Sequence, residues 1–291
     1  MVTRAAVQTR GRAREAGYAF LGEAPERPWW RAYHGHTSFE VPTLLVQSGE
    51  QGWDIYLSGV PSTRRDAVGS TIRFTLVLAG RPEDADAALA LVTAWLSDLG
   101  ANGAVLAAAL DEAFPEAQVE RLLGALGPEG REEAQRHLLD AVASLTAAPA
   151  AAAVSEASEA SDADAPPDWL ADLTDPQARS AFLARASDVL NGGSGRALLL
   201  NLVGAPADVT ALLEDPRPLA VLGVDLDEPT GFTELTRIGV PPGKASPPRP
   251  RPAGRGRATG RRISSLHAAL MPVALVVATV LAVLGILLWQ R

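Results

Sequence analysis

The sequence predicts an α+β cytosolic body, a mixed sheet with packed helices, followed by one C-terminal transmembrane helix. Three observations carry that reading. Residues 53–58 and 72–78 alternate apolar and polar side chains as half-buried strands do. From Pro82 to residue 146 the apolar spacing becomes helical. Ala268 to Trp289 then contains no charged residue at all.

In chain order, residues 1–15 are basic and poor in large apolar side chains, and are expected to be a disordered start. Residues 16–146 form the first part of the body. Tyr18 to Gly22 and Phe39 to Gln47 are candidate strands, the second placed at a sheet edge because of Pro42. Trp53, Ile55 and Leu57, then Ile72, Phe74, Leu76 and Leu78, mark two better ones, joined by the long loop VPSTRRDAVGS. A helix runs from Pro82 to a stop at Gly100, on a stripe of Ala85, Ala88, Leu89, Val92, Leu96 and Leu99. Three more helices are expected near 102–114, 115–126 and 129–146.

Residues 147–167 are alanine, serine and acid, with too little apolar surface to offset the entropy of ordering them, and read as a flexible linker. Residues 168–240 form an α/β part. Asp175-Pro176 is a helix cap and first-turn proline. Ala197 to Val203 and Leu219 to Val224 read as buried parallel strands joined through a helix at Pro206 to Glu214. A two-stranded unit is too small to stand alone. It is therefore expected to join the first sheet, with two separate domains as the alternative.

Residues 241–264 are a basic Pro/Arg/Gly stalk. Residues 266–289 form the span: its 22 uncharged residues from Ala268 to Trp289 would cover about 33 Å, the thickness of a bilayer's hydrocarbon core. Arg261 and Arg262 flank it on one side and Trp289 on the other. Seven basic residues precede the span and Arg291 alone follows it, so the positive-inside rule places the body in the cytoplasm and the C-terminus outside. The first 30 residues lack the apolar core of a signal peptide. The expected location is the inner (cell) membrane, single-pass. Ala274, Ala278 and Ala282 share one face with Gly285 nearby, a spacing that permits self-association of the helix.

Before residue 241 there are 18 basic and 34 acidic residues, a net charge of −16. A body this acidic argues against nucleic acid as a partner. There is no cysteine, so disulfides and thiolate chemistry are excluded. The one lysine, Lys244, lies in the stalk, so a catalytic or phosphate-loop lysine in the body is excluded too. Abundant alanine and arginine resemble the usage of a GC-rich bacterial coding sequence.

Candidate sites are few. Arg64, Arg65 and Asp66 are candidate anion-binding residues, because guanidinium forks match phosphate and carboxylate; a solvated turn is the plain alternative. His34 and His36, placed on a strand, would share a face and could contribute to a metal site with a carboxylate. Asp225 and Asp227 follow the second buried strand, where parallel sheets bind ligands, and are candidates for a divalent cation. No cofactor is expected otherwise. The leading functional reading is a non-enzymatic, membrane-tethered interaction or regulatory module binding a protein partner or an anionic ligand. The alternatives are a membrane-anchored hydrolase or nucleotide-processing enzyme, and a membrane-disrupting effector of a bacterial defence-type system.

Overall fold

A computed structural model describes residues 4–12, 17–100, 105–125, 127–147, 166–227 and 231–237. The stalk, the span, Arg261, Arg262, Trp289 and all but the ends of the linker lie outside those residues. Among the described residues no helix is long and apolar enough to cross a membrane.

The core is a mixed nine-stranded sheet of order β2-β1-β5-β4-β3-β7-β8-β6-β9. The strands are β1 (Arg4–Thr9), β2 (Ala19–Phe20), β3 (Thr43–Gly49), β4 (Gly52–Arg65), β5 (Thr71–Gly80), β6 (Asp168–Asp172), β7 (Arg196–Leu200), β8 (Leu219–Gly223) and β9 (Thr233–Glu234). The helices are α1 (Ala85–Gly100), α2 (Val105–Ala113), α3 (Glu116–Gly124), α4 (Pro128–Ala147) and α5 (Pro176–Leu190). The α+β class with a mixed sheet is therefore present.

The join between the halves is antiparallel pairing of β3 with β7, Leu45 opposite Leu198. On its far side β7 pairs in parallel with β8, and β8 with β6. The expected parallel unit thus completes the N-terminal sheet.

Several expectations are corrected. The start of the chain holds β1, a six-residue strand between β2 and β5. Its inward residues are only Ala5, Val7 and Thr9, too small a signal to separate from a frayed end. Pro42 precedes β3 and does not mark an edge, since β3 lies between β4 and β7. Most of the presumed long loop is strand: β4 runs on to Arg65, with register shifts after Leu57 and Pro61, and a short turn at Asp66 to Ser70 closes a hairpin. β6, at the start of the α/β part, is a further strand beyond those read from the sequence. The segment Pro206–Glu214 is a 3-10 helix.

One face of the sheet carries Val7, Val46, Ile55, Leu57, Phe74, Leu76, Leu199 and Leu222 against apolar residues of the helices. Local chemistry places those helices. Asp175 accepts the amides of Gln177 and Ala178 at the start of α5. Asp98, near the end of α1, accepts the Val105 and Leu106 amides at 3.1 and 2.9 Å, so one carboxylate caps the N-terminus of α2. The second face is covered mainly by two short 3-10 segments, Trp29–Tyr33 and Pro206–Glu214. Trp30 stacks on Tyr56 at 5.5 Å, and Val209 and Leu212 join the apolar cluster of Leu45, Leu170, Leu198 and Val221.

Candidate functional site

On the second face the registers align one transverse row across seven strands. Arg4 faces Ala79, Ala79 faces Asp54, Asp54 faces Gln47, Gln47 faces Arg196, Arg196 faces Leu219, and Leu219 faces Asp168. Side chains alternate along strands, so these residues share the face. The next row is apolar: Ala6, Val77, Tyr56, Leu45, Leu198, Val221 and Leu170. A polar band therefore lines one end of the sheet.

One half of the band is sealed. Arg196 is 2% exposed, and its Nη2 donates to the carbonyls of Leu212, Asp215 and Arg217 at 2.8, 3.2 and 3.2 Å. Its Nε is buried without a hydrogen-bond partner, 3.8 Å from Asp215 Oδ2. Arg237 grips both Asp168 oxygens at 2.6 and 2.7 Å and donates to the Asp215 and Arg217 carbonyls. Asp168 also accepts the Leu219 amide at 2.8 Å. The Arg217 guanidinium holds the Asp215 carboxyl down at about 2, and Arg217 Nη1 donates to the Ser48 carbonyl at 2.6 Å. These arginines tie the chain between residues 212 and 217 to the sheet.

The other half is open. Asp54, Gln47 and Ala79 lie in a cleft of about 830 Å³, walled by Trp29, the segment 23–27, the turn between β3 and β4, and the start of α4. Its backbone is tightly fitted. A Cβ on Gly52 would meet the Gly80 carbonyl oxygen at 2.1 Å, and one on Gly49 would meet Asp54 Oδ2 at 2.6 Å. The segment 23–27 is strapped at both ends by exposed ion pairs, Glu23 to Arg131 of α4 at 2.6 Å and Arg27 to Glu50 of the turn. Tyr33 links the two halves, its hydroxyl donating to Gln47 Oε1 at 2.9 Å. Burial pushes the Asp54 carboxyl above its ordinary range, although Arg4, the Gln47 amide and Arg217 pull it back.

The sequence candidates lie elsewhere. Arg64 and Arg65 are successive strand residues and point to opposite faces. Arg64 turns inward, donating to Arg10 O at 3.1 Å, Thr9 Oγ1 at 2.9 Å and Ser62 Oγ at 3.1 Å, with its guanidinium 4.9 Å from the Phe74 ring centre. Burial lowers its pKa. Arg65 bonds Thr71 across the hairpin. Asp66 accepts the Val68 and Ser70 amides at 3.0 and 2.7 Å and pairs with Arg10. Arg64 and Asp66 are bonded to Thr9 and Arg10 at the end of β1 as well as within the hairpin, and Arg65 points to the other face.

His34 and His36 sit in a turn and not on a strand: their amides donate to the Arg31 and Tyr33 carbonyls. Asp225 and Asp227 do follow β8, exposed, with the Asp227 amide on Gly204 O. Among the described residues no group of three or more His, Asp or Glu side chains is placed to hold a metal ion.

Arg4, Gln47, Asp54, Tyr33 and Arg196 were missed. One signal was readable. In VQSGEQGWD a two-residue turn at Glu50-Gln51 places Gln47 opposite Asp54, both on the polar phase of the alternation. No family model matches the chain, and no curated protein or solved structure matches it.

Proposed function

We propose that this chain is a binding module, tethered by its C-terminal span to the inner face of the cell membrane, that takes a segment of a protein partner into the cleft beside Asp54. The observation that carries the reading is the cleft itself. It is open, of a size that accepts a ligand or several peptide residues, and it combines backbone groups of the β3–β4 turn with amide, charged and aromatic side chains. Mixed polar lining of this kind suits a polar polypeptide, which brings its own donors and acceptors. The membrane part rests on the uncharged run Ala268 to Trp289 and the basic residues before it. Tethering confines capture to partners at the same surface.

The test uses the full-length chain in native membranes, with a photo-crosslinking residue at Gln51 on the cleft rim. A discrete adduct is expected. Ala79→Trp, which fills the floor, should abolish it, whereas Val68→Glu on the remote β4–β5 turn should leave it intact. An adduct that survives Ala79→Trp would overturn the reading.

A further inference from the structure

We infer that Asp54 is the receptor for a cationic group, a guanidinium or ammonium, on the partner segment that enters the cleft. The inference rests on the proposed function and names the chemistry of the same site.

The argument begins with charge pairing. Among the acids of the cleft, Glu23 is paired with Arg131 and Glu50 with Arg27. Of the bases, Arg81 pairs with Glu83 and Arg217 with Asp215. Within the described residues, Asp54, Glu26 and Glu132 are left without an ion pair, against Arg4. The uncommitted charge is thus mostly acidic, and it sits in a body of net charge −16 that attracts cations from a distance.

Asp54 is the unpaired acid on the cleft floor. Its neighbours in the row are Ala79, which offers it no donor, and Gln47, whose Oε1 is occupied by Tyr33. A carboxylate has about four lone-pair positions. The Gln47 amide meets one of them, and Asp54 lines the cleft, where a bound group can meet another. The carboxylate packs over Gly49, where any Cβ would collide with it. Arg4 lies two strands away across Ala79; it draws the Asp54 carboxyl down through space, but the two form no ion pair among the described residues. Trp29 on the wall offers an apolar surface for the stem of a basic side chain and a π face for its head.

Burial raises the Asp54 carboxyl, with Arg4 from β1, Gln47 from β3 and Arg217 from before β8 opposing the rise and Glu50 of the turn adding to it. An incoming cation supplies the compensation that the site lacks. Binding therefore weakens as pH falls through that raised value and Asp54 takes up its proton.

The experiment uses the full chain in lipid nanodiscs and four blocked tripeptides, Ala-X-Ala, where X is arginine, lysine, citrulline or alanine; a fifth peptide carries a free amino end and no basic side chain. Intrinsic tryptophan fluorescence and calorimetry report binding. The arginine or lysine peptide should bind at least about tenfold more tightly than the citrulline peptide, a neutral isostere of arginine. Asp54→Asn should reduce it to the citrulline level without lowering Tm, and Asp54→Glu should restore part of it. Preference for the fifth peptide would assign the cation to a chain terminus instead of a side chain. Equal binding of arginine and citrulline peptides, full binding to Asp54→Asn, or no binding of any cationic peptide would overturn the inference. The wild-type comparison stands whatever the variants do. If the Gln51 adduct persists while cations are not preferred, this inference alone falls; if both fail, the binding-module reading falls with it.

Discussion

The two halves of the transverse row use the same residue types to opposite ends. Around Arg196 and Asp168 the charged groups are covered by the chain from 212 to 217 and meet backbone carbonyls. Around Asp54 the band is open: segment 23–27 and Trp29 wall the cleft without sealing it, and the carboxylate makes no ion pair among the described residues. Burial with many partners makes a charged group structural. Partial burial with too few makes it a receptor. The segment that tells them apart is the stretch before β8, which lies over the sealed half and reaches the open half only through Arg217.

The comparison breaks most sharply at Arg196. Arg196→Ala strands three carbonyls and opens a cavity, so a loss of about 3–4 kcal/mol is expected, or about 10 °C in the thermal midpoint of the full chain in detergent. Asp168→Asn turns an amide toward the Arg237 guanidinium and should cost about 2 kcal/mol, roughly 6 °C in the same melt. Equal stability of either variant and the wild type would mean that the sealed half is not structural.

Asp215→Asn sharpens the contrast through pH. Arg217 lowers the folded-state value of Asp215 to about 2, below its ordinary 3.8. Its contribution is therefore present above about pH 4 and is lost as pH falls toward 2. The variant should melt about 3 °C below the wild type at pH 7, with the gap closing by pH 2. Asp54→Asn should behave in the opposite sense. Its folded-state value is raised, so its charge costs stability once pH exceeds that value, and the cost disappears in acid where both states are protonated. A rise of about 2 °C is expected at pH 7, shrinking toward zero below pH 4. Arg4→Ala, at the exposed end of the row, should change the midpoint by less than about 1 °C.

The elements that were legible in the sequence are those whose pattern is local. The alternation of 53–58 and 72–78 marks β4 and β5, Asp175-Pro176 starts α5, and the apolar runs 197–203 and 219–224 hold β7 and β8. β1 was not legible, because Ala5 and Val7 are buried by α4 and by neighbouring strands and not through any hydrophobic run of their own. The row was not legible as a site for the same reason. Its members come from positions 4, 47, 54, 79, 168 and 196, and only register joins them. The pair Gln47 and Asp54 is the exception, fixed by a two-residue turn. Arg64, Arg65 and Asp66 are adjacent in the chain, yet in space Arg64 and Asp66 reach Thr9 and Arg10 while Arg65 bonds Thr71 across the hairpin.

The pairing of β3 with β7 also has a consequence in time. Leu45 and Leu198 face each other, about 150 residues apart in the chain. At ribosomal rates of roughly 5–20 residues per second, β3 leaves the ribosome on the order of ten seconds or more before its neighbour exists. During that interval the nascent chain presents the bare edge of β3, with Leu44, Leu45 and Val46 side by side, to whatever else is in reach. The step most exposed to aggregation is thus set by translation and not by the finished sheet, and chaperone demand should track the delay before residues 196–200 emerge.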